Sequence, residues 1–165
     1  MARNVTISRL LQRPERSFFL FGPRGTGKST WLQRVLPDAF RLDLLDSSLF
    51  LELSRDPHRL EALIGSRPAG AWVVLDEIQK VPPLLDEVHR LMESHRWRFA
   101  LCGSSARKLR RGGANLLAGR ALTLSMESFS AAELGDGFNL DLALNWGLLP
   151  FVHNEPDVAA DILAA

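Results

Sequence analysis

Gly22-Pro23-Arg24-Gly25-Thr26-Gly27-Lys28-Ser29 decides how the rest of this chain is read. It matches the phosphate-binding pattern G-x-x-x-x-G-K-[ST] at every fixed position. The flanks agree. Ser17-Phe18-Phe19-Leu20-Phe21 is a short apolar run that reads as a buried strand, and Thr30 to Leu36 reads as a helix that Pro37 ends. Glycines let the backbone curl so that successive N–H groups point at phosphate oxygens, and the helix N-terminus adds the positive end of its dipole. Residues Gly22 to Thr30 are therefore the candidate phosphate cradle. Lys28 is placed to reach the β- and γ-phosphates, and the Ser29 hydroxyl to ligate Mg²⁺. A bare match arises by chance in unrelated loops, but not usually with a strand before it and a helix after it.

Working outward, Ala39 to Asp43 reads as a second strand. Leu44 to Leu53 is apolar, with Asp46 and Ser47 as helix N-cap candidates, and His58 to Ile64 is a short helix stopped by Gly65. Ala71-Trp72-Val73-Val74-Leu75 has the continuous apolar character of a strand buried on both faces. Asp76 and Glu77 follow it directly. Pro82-Pro83 begin a helix whose stripe is Leu84, Leu85, Val88, Leu91, Met92 and His95, with Asp86, Glu87, Arg90 and Glu93 expected on the outer face. Trp97 to Cys102 and Ala121 to Leu124 are further strands. Ser128 or Ser130 caps a helix reaching Leu134, and Asp141 to Trp146 is another. Strands alternating with helices imply an α/β fold, a parallel sheet covered on both faces.

An acid pair at the end of such a strand carries chemistry. Asp76 is placed to hold Mg²⁺, through a water ligand, and Glu77 to polarise an attacking water as general base. Ser104 follows the next strand, on the side where ligands of parallel sheets bind. Its hydroxyl suits either a γ-phosphate contact or an ordinary helix cap. Arg120, before the fifth strand, is either a surface arginine or a source of transition-state charge stabilisation. The run Arg107-Lys108-Leu109-Arg110-Arg111 reads as a solvated helix face more readily than as a nucleic-acid contact, because no aromatics interleave with it. His58, His89, His95 and His153 have no metal-ligand spacing, and Asp43 reads as structural.

Three stretches together resemble one known family: the phosphate loop, Leu75-Asp76-Glu77-Ile78-Gln79-Lys80-Val81-Pro82, and Gly103-Ser104-Ser105-Ala106-Arg107. They are similar to a group of AAA-type ATPases of bacteria and archaea, in which an N-terminal ATPase domain precedes a C-terminal domain of unknown function. The resemblance runs from about Arg16 to Leu149. It implies a three-layer P-loop NTPase fold with strand order 5-1-4-3-2, and ATP with Mg²⁺ as ligands. It also implies Lys28 and Ser29 as Walker A residues, Asp76 and Glu77 as Walker B, Ser104 at the sensor-1 position and Arg120 at an arginine-finger position. The expected organisation is an ATPase domain over residues 1–149, with an arm at 1–15, and the start of a truncated C-terminal helical region at 150–165. That arrangement implies a homo-oligomer or a protein partner engaged through the further domain.

The bulk numbers fit one soluble domain. The chain has 165 residues, 46% of them hydrophobic and 24% charged, and a net charge of +1. That balance gives no global field toward nucleic acid or membrane. The single cysteine, Cys102, lies in an apolar run and reads as a buried inert thiol. Met1 to Arg16 lacks an apolar signal-peptide core, so cytoplasmic residence is the default expectation. ATP hydrolysis is the leading reading. A switch with slow hydrolysis, acting through a further domain, is the alternative. A small-molecule kinase with Arg107–Arg111 as its lid is a third, less suited to a water-activating Asp76, Glu77 and Ser104.

Overall fold

The computed structural model describes residues 7–111 and 117–154. Five strands form one sheet: β1 (Phe18–Phe21), β2 (Phe40–Asp43), β3 (Trp72–Asp76), β4 (Arg98–Gly103) and β5 (Leu122–Ser125). Their spatial order is β2-β3-β4-β1-β5, which is the expected 5-1-4-3-2 read from the other side, and every pairing is parallel. The elements between them are α1 (Lys28–Val35), α2 (Ser47–Arg55), α3 (Arg59–Ile64), α4 (Leu84–Ser94) and α5 (Ala106–Arg111). Beyond β5 lie α6 (Ala131–Leu134), α7 (Leu140–Trp146) and α8 (Pro150–Asn154).

The two-residue period of a strand explains why the central strands are apolar throughout. Phe18 and Leu20 of β1 pack with Val74, Ala100 and Cys102 against Trp31 and Leu32 of α1. Phe19 and Phe21 point the other way and join Val73, Leu75, Phe99 and Leu101 under Leu53 of α2, Leu60 of α3 and Val88 and Leu91 of α4. Burying one such side chain is worth about 1.5–3 kcal/mol, so the doubly covered strands anchor the domain. Asp46 caps α2 through Ser48 N–H and Leu49 N–H, as expected. Ser130, not Ser128, caps α6 in a full capping box with Glu133.

One outward-facing assignment is wrong. Glu87 is only 3% exposed, because the N-terminal end of α3 covers its side of α4. Its carboxylate accepts from Arg90 Nε at 3.0 Å and sits 3.0 Å from His58 Nδ1. Those hydrogen bonds, led by Arg90, hold it below the usual carboxylate range against the opposing effect of burial. Residues 7–16 form an irregular arm and no helix. Of the helical region expected over 150–165, α8 covers Pro150–Asn154, and residues 155–165 fall outside the described residues.

Candidate functional site

In a parallel sheet all strands exit on one edge, so the loops after β1, β3 and β4 converge. The phosphate-binding stretch leaves β1 and enters α1 at Lys28. Gly27 stands at the N-cap with φ 86°, a left-handed conformation that only glycine adopts at little cost. Gly22 answers a different demand. A Cβ there would lie 1.9 Å from the Met126 carbonyl oxygen, where the chain leaving β5 crosses the loop.

Within the loop, Lys28 Nζ donates to the carbonyls of Gly22 (2.7 Å) and Pro23 (2.8 Å). Thr26 is fully buried and its hydroxyl donates to the same Pro23 carbonyl at 2.9 Å. Pro23, Arg24 and Gly25 are exposed on the outer turn, and Ser29 and Thr30 are exposed in the first turn of α1. Across the sheet, Ser29 Oγ donates to Asp76 Oδ2 at 2.8 Å, while Asp76 Oδ1 accepts from Glu77 N–H at 2.9 Å. Two hard oxygen donors thus face each other at the mouth of the loop, the donor type that Mg²⁺ takes.

Glu77 departs from β3 with φ 55°, an uncommon left-handed conformation for a residue with a side chain. Its carboxylate accepts a hydrogen bond from Gln79 Nε2, which also donates to Ser104 Oγ at 3.3 Å. The other end of that amide, Gln79 Oε1, is buried without a hydrogen-bond partner. It occupies the space where a Cβ on Gly103 would stand, at 2.2 Å. Gly103 therefore makes room for a side chain that ties Glu77 to Ser104. Cys102 lies just behind. Burial, with the adjacent Asp76 adding to it, pushes its thiol far up, as an inert cysteine requires.

A cleft of about 430 Å³ opens between Lys28, Ser29, Thr30, Asp76 and Glu77, with Pro150, Phe151 and Asn154 of α8 on its far side. A Cβ on Gly25 would stand 3.7 Å from the Phe151 ring, so α8 packs directly beside the loop. A second cavity of about 250 Å³ adjoins it through Gly27, Thr30, Pro150 and Asn154, and is walled by Ile7, Trp31 and Phe129. Arg9 organises this side. Its guanidinium donates to the Thr26 carbonyl at 2.5 Å, the Ser128 carbonyl at 3.2 Å and Glu133 Oε2 at 3.1 Å, and it stacks over Phe129 at 4.2 Å.

Arg120 is not brought to this cleft. It precedes β5, at the opposite edge of the sheet, where its Nε donates to Glu93 Oε1 at 2.8 Å. The roles of Gln79, Arg9, Phe129 and α8 were not foreseen. Gln79 lies inside a quoted motif, but nothing in the spacing says where its amide points. The others come together only by tertiary packing.

A family model described as an AAA domain matches residues 14–135, most of the chain. The chain belongs to the AAA domain family. That membership makes it an ATPase-type nucleotide-binding domain. No curated protein matches it. Among solved structures it is similar to the ORC2 protein of Aeropyrum pernix in its ADP form, at 15% identity and a TM-score of 0.47. The match covers 72% of this chain and 44% of that one, so this AAA domain spans less than half the length of ORC2. Among the described residues no helix is long and apolar enough to cross a membrane.

Proposed function

We propose that this AAA domain binds ATP with Mg²⁺ in the cleft above β1 and β3 and hydrolyses it to ADP and phosphate. The observation that carries this reading is the meeting of Ser29 with Asp76 at 2.8 Å, with Lys28 and Glu77 on either side. Backbone N–H groups of residues 24–28 and the N-terminus of α1 would take the phosphate oxygens. Lys28 is held by two loop carbonyls and would exchange them for phosphate oxygens. Ser29 and Asp76 would hold the metal, with nucleotide oxygens and water completing its shell; when bound it neutralises charge on the phosphates. Glu77 would accept a proton from the attacking water, and Ser104 would lie beside the γ-phosphate. The adjoining cavity sets the apolar Ile7, Trp31, Phe129 and Pro150 beside the polar Arg9, Thr30, Arg34 and Asn154, and we assign it to the adenine base, which has apolar faces and polar edges. Arg120 could serve only in the cleft of a neighbouring copy.

The deciding experiment compares wild type with Glu77→Gln. The variant is expected to bind ATP as wild type does and to lose turnover by about 10²–10⁴, the usual worth of a general base. Unchanged hydrolysis in the purified variant removes Glu77 from the role.

A second reading is a switch with slow intrinsic hydrolysis. One observation favours it: the carboxylate that would activate water is already committed to the Gln79 amide. A protein partner or a further domain would then release it. Gln79→Leu is expected to raise single-turnover hydrolysis severalfold while leaving ATP affinity unchanged. A fall in rate would show instead that Gln79 positions the base for attack.

A further inference from the structure

The net charge of +1 conceals a segregation that only the fold brings out. The segments that lead into β1, β3, β4 and β5 carry Arg13, Arg16, Arg67, Arg96, Arg98 and Arg120. The acids at the same end are Glu15 before β1 and Asp38 before β2, with Glu93 joining them from the last turn of α4. Because the sheet is parallel, all of these lie on one edge, opposite the nucleotide cleft. Because β3, β4, β1 and β5 are consecutive in space, the arginines form a row and not a scatter. We propose that this edge binds the phosphodiester backbone of a nucleic acid strand.

Spacing supports that occupant. Three gaps of about 4.8 Å between strands make a row of about 14 Å. A nucleic acid strand carries one charge per 3.4 Å of axis, so about four phosphates would lie along it. The arginines are also backed by aromatics, the feature missing from the Arg107–Arg111 run. Arg13 and Arg98 approach the Trp72 ring at 5.5 and 5.9 Å, and Arg67 lies over Phe40 at 4.3 Å. Stacking holds a guanidinium flat and leaves its N–H edge free for phosphate. A cleft of about 430 Å³, lined in part by Arg13, Arg67, Pro68 and Trp72, opens on the same edge with room for a base. Arg96 is exposed and sits in a left-handed conformation with φ 57°, its carbonyl taken by Gly70 N–H at 3.0 Å. Arg13 and Arg98 share Glu15, and Arg120 pairs with Glu93, whereas Arg67 and Arg96 form no ion pair among the described residues. An acidic protein would meet the charge but would use neither the row spacing nor the base-sized cleft.

The test is fluorescence anisotropy of this chain with a labelled 20-nucleotide single strand of DNA, the same sequence as RNA, a duplex, and a polyglutamate peptide. Binding to at least one nucleic acid is expected at 50 mM salt. Its log–log salt slope should be about −3, as release from about four single-strand phosphates requires. The DNA and RNA arms identify the sugar. Arg67→Gln with Arg96→Gly is expected to weaken binding at least tenfold with ATP affinity unchanged. Arg96→Gly places glycine where the backbone is already left-handed, so loss of folding is not expected to confound the result, and the melting temperature verifies it. The proposal is overturned by no salt-dependent nucleic acid binding, by binding insensitive to the double variant, or by a preference for polyglutamate. None of these outcomes depends on whether the chain hydrolyses ATP.

Discussion

The two halves of the proposed ATP site, one assigned to the phosphates and one to the base, are built on different principles. The phosphate half draws on three strand exits, and its groups are fixed in type: glycine, lysine, hydroxyl, carboxylate. The half assigned to the base draws on the arm, α1, Phe129 and α8, segments far apart in the chain, and its walls mix apolar rings with polar side chains that must be held together. Arg9 does the holding, through carbonyls of the phosphate loop and of Ser128 and the carboxylate of Glu133. Charge recognition tolerates few substitutes, whereas shape can be met by many side chains.

Lys28→Ala should break the phosphate half most severely. A charge-assisted contact of about 3 kcal/mol to phosphate oxygens corresponds to about a hundredfold in affinity. Calorimetry should show that loss for ATP and for inorganic tripolyphosphate alike, since both present the same oxygens. A loss confined to ATP would move Lys28 out of the phosphate half.

Arg9→Met tests the other half and should cost less. Glu133 keeps its hydrogen bonds from Leu10 N–H and Ser130 N–H, so the carboxylate is not left alone. Stability should fall by about 2 kcal/mol, the worth of hydrogen bonds to a charged group. ATP should bind severalfold more weakly while tripolyphosphate binding stays within about twofold, because the cost falls on the base pocket, a difference well under 1.4 kcal/mol. Equal losses for both ligands would mean that Arg9 acts through the Thr26 carbonyl and that the two halves are one unit.

The same contrast explains what was legible in the sequence. Strand and helix positions followed from apolar period and from caps such as Asp46, and the strand order came with the resemblance. Gly22 to Ser29 and Asp76-Glu77 stood out because phosphate chemistry would demand those types at that spacing, and the fold brings the loop and the acid pair to one cleft. Glu87 was misread because periodicity gives one stripe per helix and cannot register that α3 covers a second side of α4. Arg9 and Phe129 left no local signal, and the helical region expected from residue 150 carried no sign of where α8 packs. Arg9 meets Ser128, Phe129 and Glu133 more than a hundred residues along the chain, and an arginine in a polar arm looks like any other. Gln79 was intermediate, quoted in a motif but without a direction for its amide.

The smallest expected effect concerns the roof of the base half. His153 of α8 lies edge-on to Phe129, with ring centroids 5.9 Å apart, and its Nε2 is buried without a partner. Burial lowers its pKa from the ordinary 6.5, so the neutral ring is the form the fold accepts. The unfolded chain therefore takes up a proton at a higher pH than the folded one. Stability is full above about pH 6.5 and falls as the pH drops through that value toward the lowered one. Glu61, Glu87 and Glu133 are also lowered, but from 4.5, so their contribution is lost only in more acid solution. Between these ranges the melting temperature should decline by no more than about 2–4 °C, the scale of 1 kcal/mol in a domain of this size. His153→Phe keeps an aromatic ring against Phe129 and removes the proton site, so the difference between the two proteins isolates this group. The variant should melt at a more nearly constant temperature from pH 7 to 5, and its ATP affinity should lose any parallel pH dependence. If both proteins decline together, α8 is not held by the neutral imidazole, and Pro150 and Asn154 keep their place over this cavity through the other contacts of α8.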